Sequence, residues 1–302
     1  MTFDWKYFRL SMVVIFAAEI CSLLAYRAAP FLQSVFFALA LILFAILCVK
    51  NLPNALLVVY GELFVSSFGH LFEPTIASTL IPIRLGLFVV FMLVFAIRAC
   101  ITRSFPFRSS SHFWPLLVLI AVFIMATIWG VLRGNGIGNV LGDGNSFVFF
   151  AYLPATLAFF NTPIMRYRVA AVFAGAMTWL VTQTAVVLFL FAHRLGRAMQ
   201  VSYFWIHDAR LGEITRIVGD FYRIFFQSYN FALIAVFVFG ALLLGTAGKK
   251  VFFRNKLWWL LVSSSALVLE SFSRSFWFGA AIAGLVFVVA CVLLRGMALR
   301  RG

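Results

Sequence analysis

The chain of 302 residues is 64% hydrophobic and only 11% charged, and its mean hydropathy is +1.06. This composition excludes a water-exposed surface over most of the chain and predicts an integral membrane protein. Lysine and arginine together number 24 against nine acidic residues. These cations stand between apolar runs, where they set orientation in the membrane, so we expect no nucleic-acid partner.

The cysteines and the first apolar run indicate which further features the membrane protein is expected to lack. All four cysteines lie inside or at the ends of apolar segments, at positions 21, 48, 100 and 291. We therefore expect neither disulfides, nor a metal site, nor a cofactor. The first apolar run contains Glu19 and is followed by Tyr26 and Arg27 rather than by small residues, so we expect no cleavable signal peptide.

Ten apolar runs are candidates for membrane-spanning helices, each of which needs about 20 residues. They lie near 10–26, 31–49, 52–68, 80–99, 114–132, 146–161, 169–192, 229–247, 257–270 and 275–294. The alternation typical of a β-barrel is missing, and no internal repeat is present. The sequence therefore predicts an all-α, polytopic transmembrane helical bundle of about ten spans, one domain over 1–302, without β-structure.

The loop charges predict the orientation. With the N-terminus in the cytoplasm, 15 of the 24 cations fall on the inner side, including all five lysines, and both termini are cytoplasmic. The nine outer cations are all arginine: Arg27, Arg84, Arg133, Arg194, Arg197, Arg210, Arg216, Arg223 and Arg274. Because the guanidinium fork binds phosphate or carboxylate bidentately, this face suits an anionic ligand. The alternative explanation is that the outer cations are arginine only because arginine outnumbers lysine 19 to 5 in the chain.

Charged residues also occur within the predicted spans. Glu19 lies in the middle of the first span, Glu62 in the third, and Arg84 near the outer end of the fourth. Such residues avoid lipid and are protonated, hydrogen-bonded across helices or paired with arginine. They can hold a bundle together, and a proton relay is the alternative interpretation.

A glycine-rich segment, residues 130–144, joins the fifth and sixth runs. Its six glycines resemble a dinucleotide-binding loop, but that loop requires a preceding strand and a βαβ unit. Here both flanks are apolar runs, so we interpret the segment as an outer turn with Arg133, Asn135 and Asp143 as its polar residues.

The longest outer loop is 193–228. Its apolar residues Phe204, Leu211, Ile214, Val218, Phe221 and Phe225 recur at helical spacing. They predict an amphipathic helix near 204–226 on the periplasmic membrane surface. On that helix Glu213 and Asp220 would each pair with the arginine three residues later. Even after such pairing several outer arginines lack a carboxylate, which favours an anionic ligand over a self-paired charge face.

Polar residues interrupt the apolar sequence again at 269–279, between the ninth and tenth runs. The segment reads Leu-Glu-Ser-Phe-Ser-Arg-Ser-Phe-Trp-Phe-Gly. Charge at this depth is costly, so Arg274 is expected either to pair with Glu270 or to bind a ligand. Three histidines, His70, His193 and His207, fall on the outer side, where a histidine can act as a base.

Two motifs resemble the O-antigen ligase and polymerase family of bacterial polysaccharide assembly. Arg216-Ile-Val-Gly and Arg223-Ile-Phe-Phe-Gln-Ser-Tyr-Asn-Phe-Ala-Leu are similar to the family's Arg/Gly segment that leads into an Asn-x-x-Ala helix start, with Asn230 at the Asn. Phe272-Ser-Arg-Ser-Phe-Trp-Phe-Gly resembles the family's Ser-Arg-Gly motif, although Ser275 replaces the glycine. The resemblance covers about residues 215–295 of this chain.

The resemblance implies a function at the periplasmic face of the bacterial inner membrane. The ligand would be a polyprenyl-diphosphate-linked glycan, with membrane lipids and other polysaccharide-assembly proteins as further partners. Arg216, Arg223 and Arg274 would bind the diphosphate, supported by Asn230, Glu270 and Ser273. We expect the C-terminal catalytic-loop region of the family to be lacking, which leaves His207 and Glu213 as acid/base candidates.

Two other functions remain open. Glu19, Glu62 and Arg84 at membrane depth are also typical of a transporter or flippase for an anionic lipid or metabolite. A non-catalytic assembly subunit is the third hypothesis.

Overall fold

Eleven α-helices and four short strands make up the described part of the chain. The computed structural model describes residues 4–28, 31–66, 69–76, 79–103, 113–136, 139–140, 147, 149–246 and 256–299. The helices are α1 Trp5–Ala28, α2 Phe31–Lys50, α3 Leu52–Val65, α4 Ile83–Thr102, α5 Phe113–Leu132, α6 Leu153–Phe159, α7 Pro163–Ala192, α8 Gly196–Asp208, α9 Tyr229–Thr246, α10 Lys256–Glu270 and α11 Arg274–Leu299. The strands are β1 Thr75–Ile76, β2 Thr79–Leu80, β3 Gly212–Val218 and β4 Phe221–Phe226.

Five of the described helices are long and apolar enough to cross a membrane: α1, α2, α4, α5 and α7. Helix formation there needs no partner side chains, because apolar helices satisfy their own backbone in hydrocarbon. Shorter apolar helices occupy the other five predicted runs. All ten runs therefore contain helix, whereas crossing by the shorter five stays a prediction.

The chain forms two compact units. Unit 2 comprises Leu39–Val59 and Leu85–Val169. Its core is aromatic, with Tyr152 packed against Phe88 and Phe91 at ring separations of 5.2 and 5.4 Å. Such edge-to-face contacts fix ring orientation in an otherwise apolar interior.

Only part of the glycine-rich segment 130–144 lies within the described residues of unit 2, and Asp143 lies outside them. Asn135 N–H donates to the Gly130 carbonyl at 3.3 Å, which forms a turn at the end of α5. The Arg133 guanidinium lies 5.2 Å from the centre of the Trp129 ring. The predicted turn is confirmed for the residues that are described.

Unit 1 comprises Met1–Ala38, Tyr60–Arg84 and Ala170–Gly302. Within it α1 and α7 approach so closely that a Cβ atom on Gly175 would lie 3.0 Å from the Phe8 carbonyl oxygen. Phe64 of α3 joins the same core, 4.9 Å from Phe173 and 5.2 Å from Phe231 by ring centroids. Small residues at the α1–α7 contact let the two backbones pack directly.

A β-hairpin occupies residues 212–226, so the amphipathic helix predicted near 204–226 is wrong beyond Asp208, where α8 ends. The expectation of no β-structure is also wrong, because β1–β2 forms a second small hairpin. Gly219 has φ +56° and forms with Asp220 the two-residue turn between β3 and β4. The flanking residues are mostly β-branched or aromatic, which favours strands over helix.

The hairpin register places Arg216 and Arg223 on opposite faces. Arg216 is opposite Tyr222, and Arg223 is opposite Thr215. Because directly opposed residues share a face and neighbours along a strand alternate, the two arginines point away from one another. The side-chain pairs predicted on a helix, from Glu213 and Asp220 to the arginines three residues later, are therefore wrong.

The hairpin provides a first prediction. A Cβ atom on Gly212 would lie 2.5 Å from the Phe225 carbonyl oxygen and 2.9 Å from the Phe226 Cα. Gly212→Ala should therefore destabilise the protein by about 1–3 kcal/mol, because the obstacle is backbone that cannot rotate away. Thermal denaturation of the purified protein measures the effect.

The matched control is Gly240→Ala in α9, where a new Cβ meets no atom within 4 Å. Alanine there should leave stability unchanged or raise it. Equal melting temperatures for the two variants would contradict the close approach at Gly212.

Candidate functional site

One end of unit 1 brings several helix ends against the hairpin. Trp205 of α8 donates to the Ser22 hydroxyl of α1 at 3.1 Å, and Ser22 donates to the Leu71 carbonyl at 2.6 Å. Ser228, between β4 and α9, donates to the Val65 carbonyl at the end of α3 at 2.7 Å. These three buried hydrogen bonds, two of them to backbone carbonyls, fix the hairpin and α8 on the helical framework.

Arg223 joins the hairpin to the junction between α10 and α11. Its Nε donates to the Ser271 carbonyl at 2.7 Å, and its guanidinium lies 5.2 Å from the Phe225 ring centre. The same hairpin face packs Phe221 against Phe272, with ring centroids 5.1 Å apart. Only Nε appears in these bonds, so the terminal nitrogens of Arg223 stay available for a ligand.

The junction itself has a constrained backbone. Phe272 has φ +44°, a conformation that costs a non-glycine residue free energy. The Ser271 hydroxyl and the Trp277 indole both donate to the Val268 carbonyl, at 2.7 and 3.0 Å. This network fixes the turn that begins α11 at Arg274.

Arg274 is exposed as the first residue of α11. Within the described residues it forms no ion pair with Glu270, so the predicted pair between them is wrong at this geometry. Ser273, the residue before it, shares a hydrogen bond with the Ser275 hydroxyl at 3.0 Å. The Arg274 guanidinium thus remains without a carboxylate among the residues described.

The other predicted residues take several positions around the hairpin. Arg216 is exposed and its Nε donates to the Gly219 carbonyl in the turn. Glu213 is exposed opposite Phe225, and therefore on the same face as Arg223. Asn230 donates to the Gln227 carbonyl at 3.2 Å and stabilises the start of α9.

His207 has a carboxylate neighbour that the sequence interpretation missed. Its Nδ1 lies 3.2 Å from Asp208 Oδ1, and the other Asp208 oxygen accepts a hydrogen bond from the Tyr26 hydroxyl at 2.7 Å. These two hydrogen bonds, that from Tyr26 first, lower the pKa of Asp208 below its ordinary value. A carboxylate at Nδ1 orients the ring and leaves Nε2 as the exposed basic atom.

The other two histidines predicted on the outer side have local partners. His193 Nδ1 lies 2.9 Å from the Phe189 carbonyl, one helical turn earlier. His70 Nδ1 lies 2.5 Å from Glu73 Oε1. These contacts give both histidines a structural role.

Two of the arginines predicted on the outer side have carboxylate partners. Arg194 pairs with Asp220 at the hairpin tip, and both side chains are about half exposed or more. Arg84 pairs with Glu62, with Nε 3.0 Å from Oε2 and both side chains mostly buried. Arg197 and Arg210, like the three predicted diphosphate ligands, have no ion pair within the described residues.

Further contacts enclose the ion pair of Glu62 and Arg84. Ser66 donates to Glu62 Oε1, and a Cβ atom on Gly69 would lie 2.5 Å from the Arg84 Cβ. The loop after α3 therefore packs directly against the ion pair, which ties α3 to α4. This arrangement fits the structural role expected for these residues.

Comparison with known proteins gives no relative: no protein-family model, curated protein or solved structure matches this chain. The resemblance of residues 215–295 to O-antigen ligases and polymerases consequently stays a prediction. Function has to be argued from the geometry at this end of unit 1.

Arg210 allows a prediction about backbone strain. It ends α8 with φ +50°, and Leu211 N–H donates to the Ile206 carbonyl at 3.0 Å in the helix-terminating pattern that glycine normally occupies. Arg210→Gly should therefore raise stability by about 1 kcal/mol in thermal denaturation. Arg197→Gly, within the first turn of α8, should lower it. Destabilisation by both variants would contradict the strain.

The buried ion pair allows a second prediction for this region. Glu62→Gln and Arg84→Gln should each lower the free energy of unfolding by about 3 kcal/mol, because each leaves one buried charge unpaired. The double variant should lose clearly less than the sum. Arg194→Gln, which breaks an exposed pair, should change little. Additive losses for Glu62 and Arg84 would show that they do not stabilise one another.

Proposed function

We propose that this protein binds a polyprenyl-diphosphate-linked glycan at the periplasmic face of the bacterial inner membrane and transfers or polymerises it. The observation that carries the proposal is the set of arginines around the hairpin that lack a carboxylate. Arg216, Arg223 and Arg274 belong to this set within the described residues. In the proposed orientation both chain termini are cytoplasmic.

The hydrogen bonds of the arginines support a binding role. Arg216 and Arg223 each use Nε to bond a backbone carbonyl. Such a bond orients the guanidinium and leaves its terminal N–H groups for a second acceptor. Phosphate oxygens suit these donors because the guanidinium fork binds them bidentately.

We assign Arg223 and Arg274 to the diphosphate because Arg223 is bonded to the turn that leads into Arg274. Arg223 bonds to Ser271, three residues before Arg274. Arg216 lies on the other face of the hairpin, so we assign it to the edge of the ligand rather than to the same phosphate. Asn230, Glu270 and Ser273 support this arrangement through the surrounding turns.

The chemistry follows from a diphosphate leaving group. A sugar hydroxyl of the acceptor attacks the anomeric carbon, a new C–O bond forms, and the bond between that carbon and the diphosphate oxygen breaks. Arginines neutralise the negative charge that develops on the departing diphosphate. This step requires a base that takes the hydroxyl proton.

We propose His207 as the base, because it has a carboxylate neighbour. Asp208 holds its Nδ1 and leaves Nε2 to accept a proton, as in other base–orienter pairs. Glu213 is exposed and shares the hairpin face with Arg223, which makes it the alternative. Other polysaccharide-assembly proteins and membrane lipids are the proposed further partners.

Substitution of the arginines tests the proposal. In cells whose surface glycan depends on this protein, Arg223→Ala and Arg274→Ala should reduce long or ligated glycan about tenfold or more, because each removes charge stabilisation from the leaving group. Lysine at either position should restore only part of it. Gel analysis of glycan length measures the effect in variants that reach the membrane.

Arg9→Ala is the matched control, since Arg9 is an exposed arginine in the first turns of α1, at the opposite end of that helix from Tyr26. It should leave glycan unchanged. Normal glycan in both Arg223→Ala and Arg274→Ala would refute the diphosphate site.

A transporter or flippase for an anionic lipid or metabolite is the second candidate function. The buried Glu19, at 4% exposure within α1, favours it. Reconstitution into vesicles separates the two: transport of a polyprenyl diphosphate without glycan transfer supports the transporter, and transfer without transport supports the enzyme.

A further inference from the structure

Three buried polar atoms on α1 and α7 form no hydrogen bond of normal geometry within the described residues, although the Trp179 side chain lies close enough to act on the Glu19 carboxyl group. They are Glu19 Oε1, Trp179 Nε1 and Gln183 Nε2. Glu19 is 4% exposed and Gln183 is 7% exposed. Unsatisfied polar groups at this depth are costly, so their coincidence in one region calls for a function or a bound molecule.

The helix register brings the three groups together. Ser11 of α1 meets Gly175 of α7, and the Phe16 ring lies 5.3 Å from that of Trp179. The two contacts follow the same order along both helices, so α1 and α7 are parallel. Glu19 follows Phe16 by three residues and interacts with Trp179.

Gln183 continues this face of α7. It follows Trp179 by one helical turn and is buried in the same unit. Residues four apart on a helix lie on one face, so Gln183 shares the face of α7 on which Trp179 meets α1.

The three groups are suited to binding and releasing a proton at the Glu19 carboxyl group. Trp179 and Gln183 supply two N–H donors, which stabilise a carboxylate anion. A neutral Glu19 instead needs an acceptor for its O–H. One water molecule satisfies both forms. With neutral Glu19 the water accepts the carboxyl O–H and one of the N–H groups, and with the anion both N–H groups donate to the carboxylate and the water donates to it as well.

We propose that Glu19, Trp179 and Gln183 form a proton-exchange site around one internal water in the membrane-spanning part of unit 1. On release, the Glu19 O–H bond breaks, the proton passes to the water, and the carboxylate is held by the two N–H donors. On uptake the same bond forms again from a hydrated proton. The site requires no glycan and extends beyond the proposed transfer function.

Within the described residues no lysine or arginine forms an ion pair with Glu19. The neutral Trp179 side chain acts on its carboxyl group. The neighbouring titratable group on α1 is Cys21, and the next buried polar residue is Ser22. By contrast Glu62, the other glutamate at membrane depth, has Arg84.

A continuous polar face connects the site to the hairpin end of unit 1. Ser22 lies three residues after Glu19 and accepts from Trp205. Tyr26, one turn further, bonds to Asp208. We therefore assign proton entry and exit to the end of unit 1 where the arginines lie.

Infrared difference spectroscopy tests the site, because the chain has only nine acidic side chains. Wild-type protein in nanodiscs should have a protonated-carboxyl band that shifts in D2O and disappears at alkaline pH. Glu19→Gln should remove this band, whereas Glu62→Gln should retain it. A spectrum unchanged by Glu19→Gln, or a Glu19 band that does not shift in D2O, would overturn the proposal.

Two further variants keep the carboxyl group and cover the case in which Glu19→Gln does not fold. Trp179→Phe and Gln183→Leu each remove one N–H donor to the anion. Each should raise the proton affinity read from the carboxyl band about tenfold. An unchanged affinity in both would overturn the site. Because this readout involves no glycan, its failure is distinct from failure of the arginine test.

Discussion

The hydrogen bond from Arg223 to the Ser271 carbonyl is the contact on which the arrangement of the candidate site depends. It joins the hairpin to the α10–α11 junction across 48 residues of sequence. An arginine in a long flexible loop would have no fixed position for its guanidinium group. Here one N–H fixes the side chain beside the start of α11, and the remaining donors have a defined direction.

Much of the helical framework could be predicted because long apolar runs leave the backbone few alternatives in a membrane. All ten predicted runs contain helix, and five helices are long enough to cross. The hairpin was missed because apolar residues such as Ile214, Val218, Phe221 and Phe225 fit helical spacing by position alone. The signal that could have found it is Val218-Gly-Asp-Phe221, a two-residue turn between β-branched and aromatic stretches.

The residues of the candidate site could be predicted from the sequence, but their interaction partners could not. Arg216, Arg223 and Arg274 stand out in the sequence because charge is rare there, yet their faces depend on strand register. Partners distant in sequence follow from the fold alone: Tyr26 and Asp208 are separated by 182 residues. Sequence rules for helices pair residues three or four apart. They therefore paired Asp220 with Arg223, whereas the partner of Asp220 in the structure is Arg194.

The two glutamates Glu19 and Glu62 differ in how their charge is compensated within the described residues. Glu62 is matched by a guanidinium and a hydroxyl, so its charge is compensated within the fold. No described lysine or arginine forms an ion pair with Glu19, and the side chain that acts on its carboxyl group is the neutral Trp179 indole. A permanent counter-ion would hold the carboxyl group in its anionic form, whereas neutral donors allow both protonation states, which is the property that reversible proton binding requires.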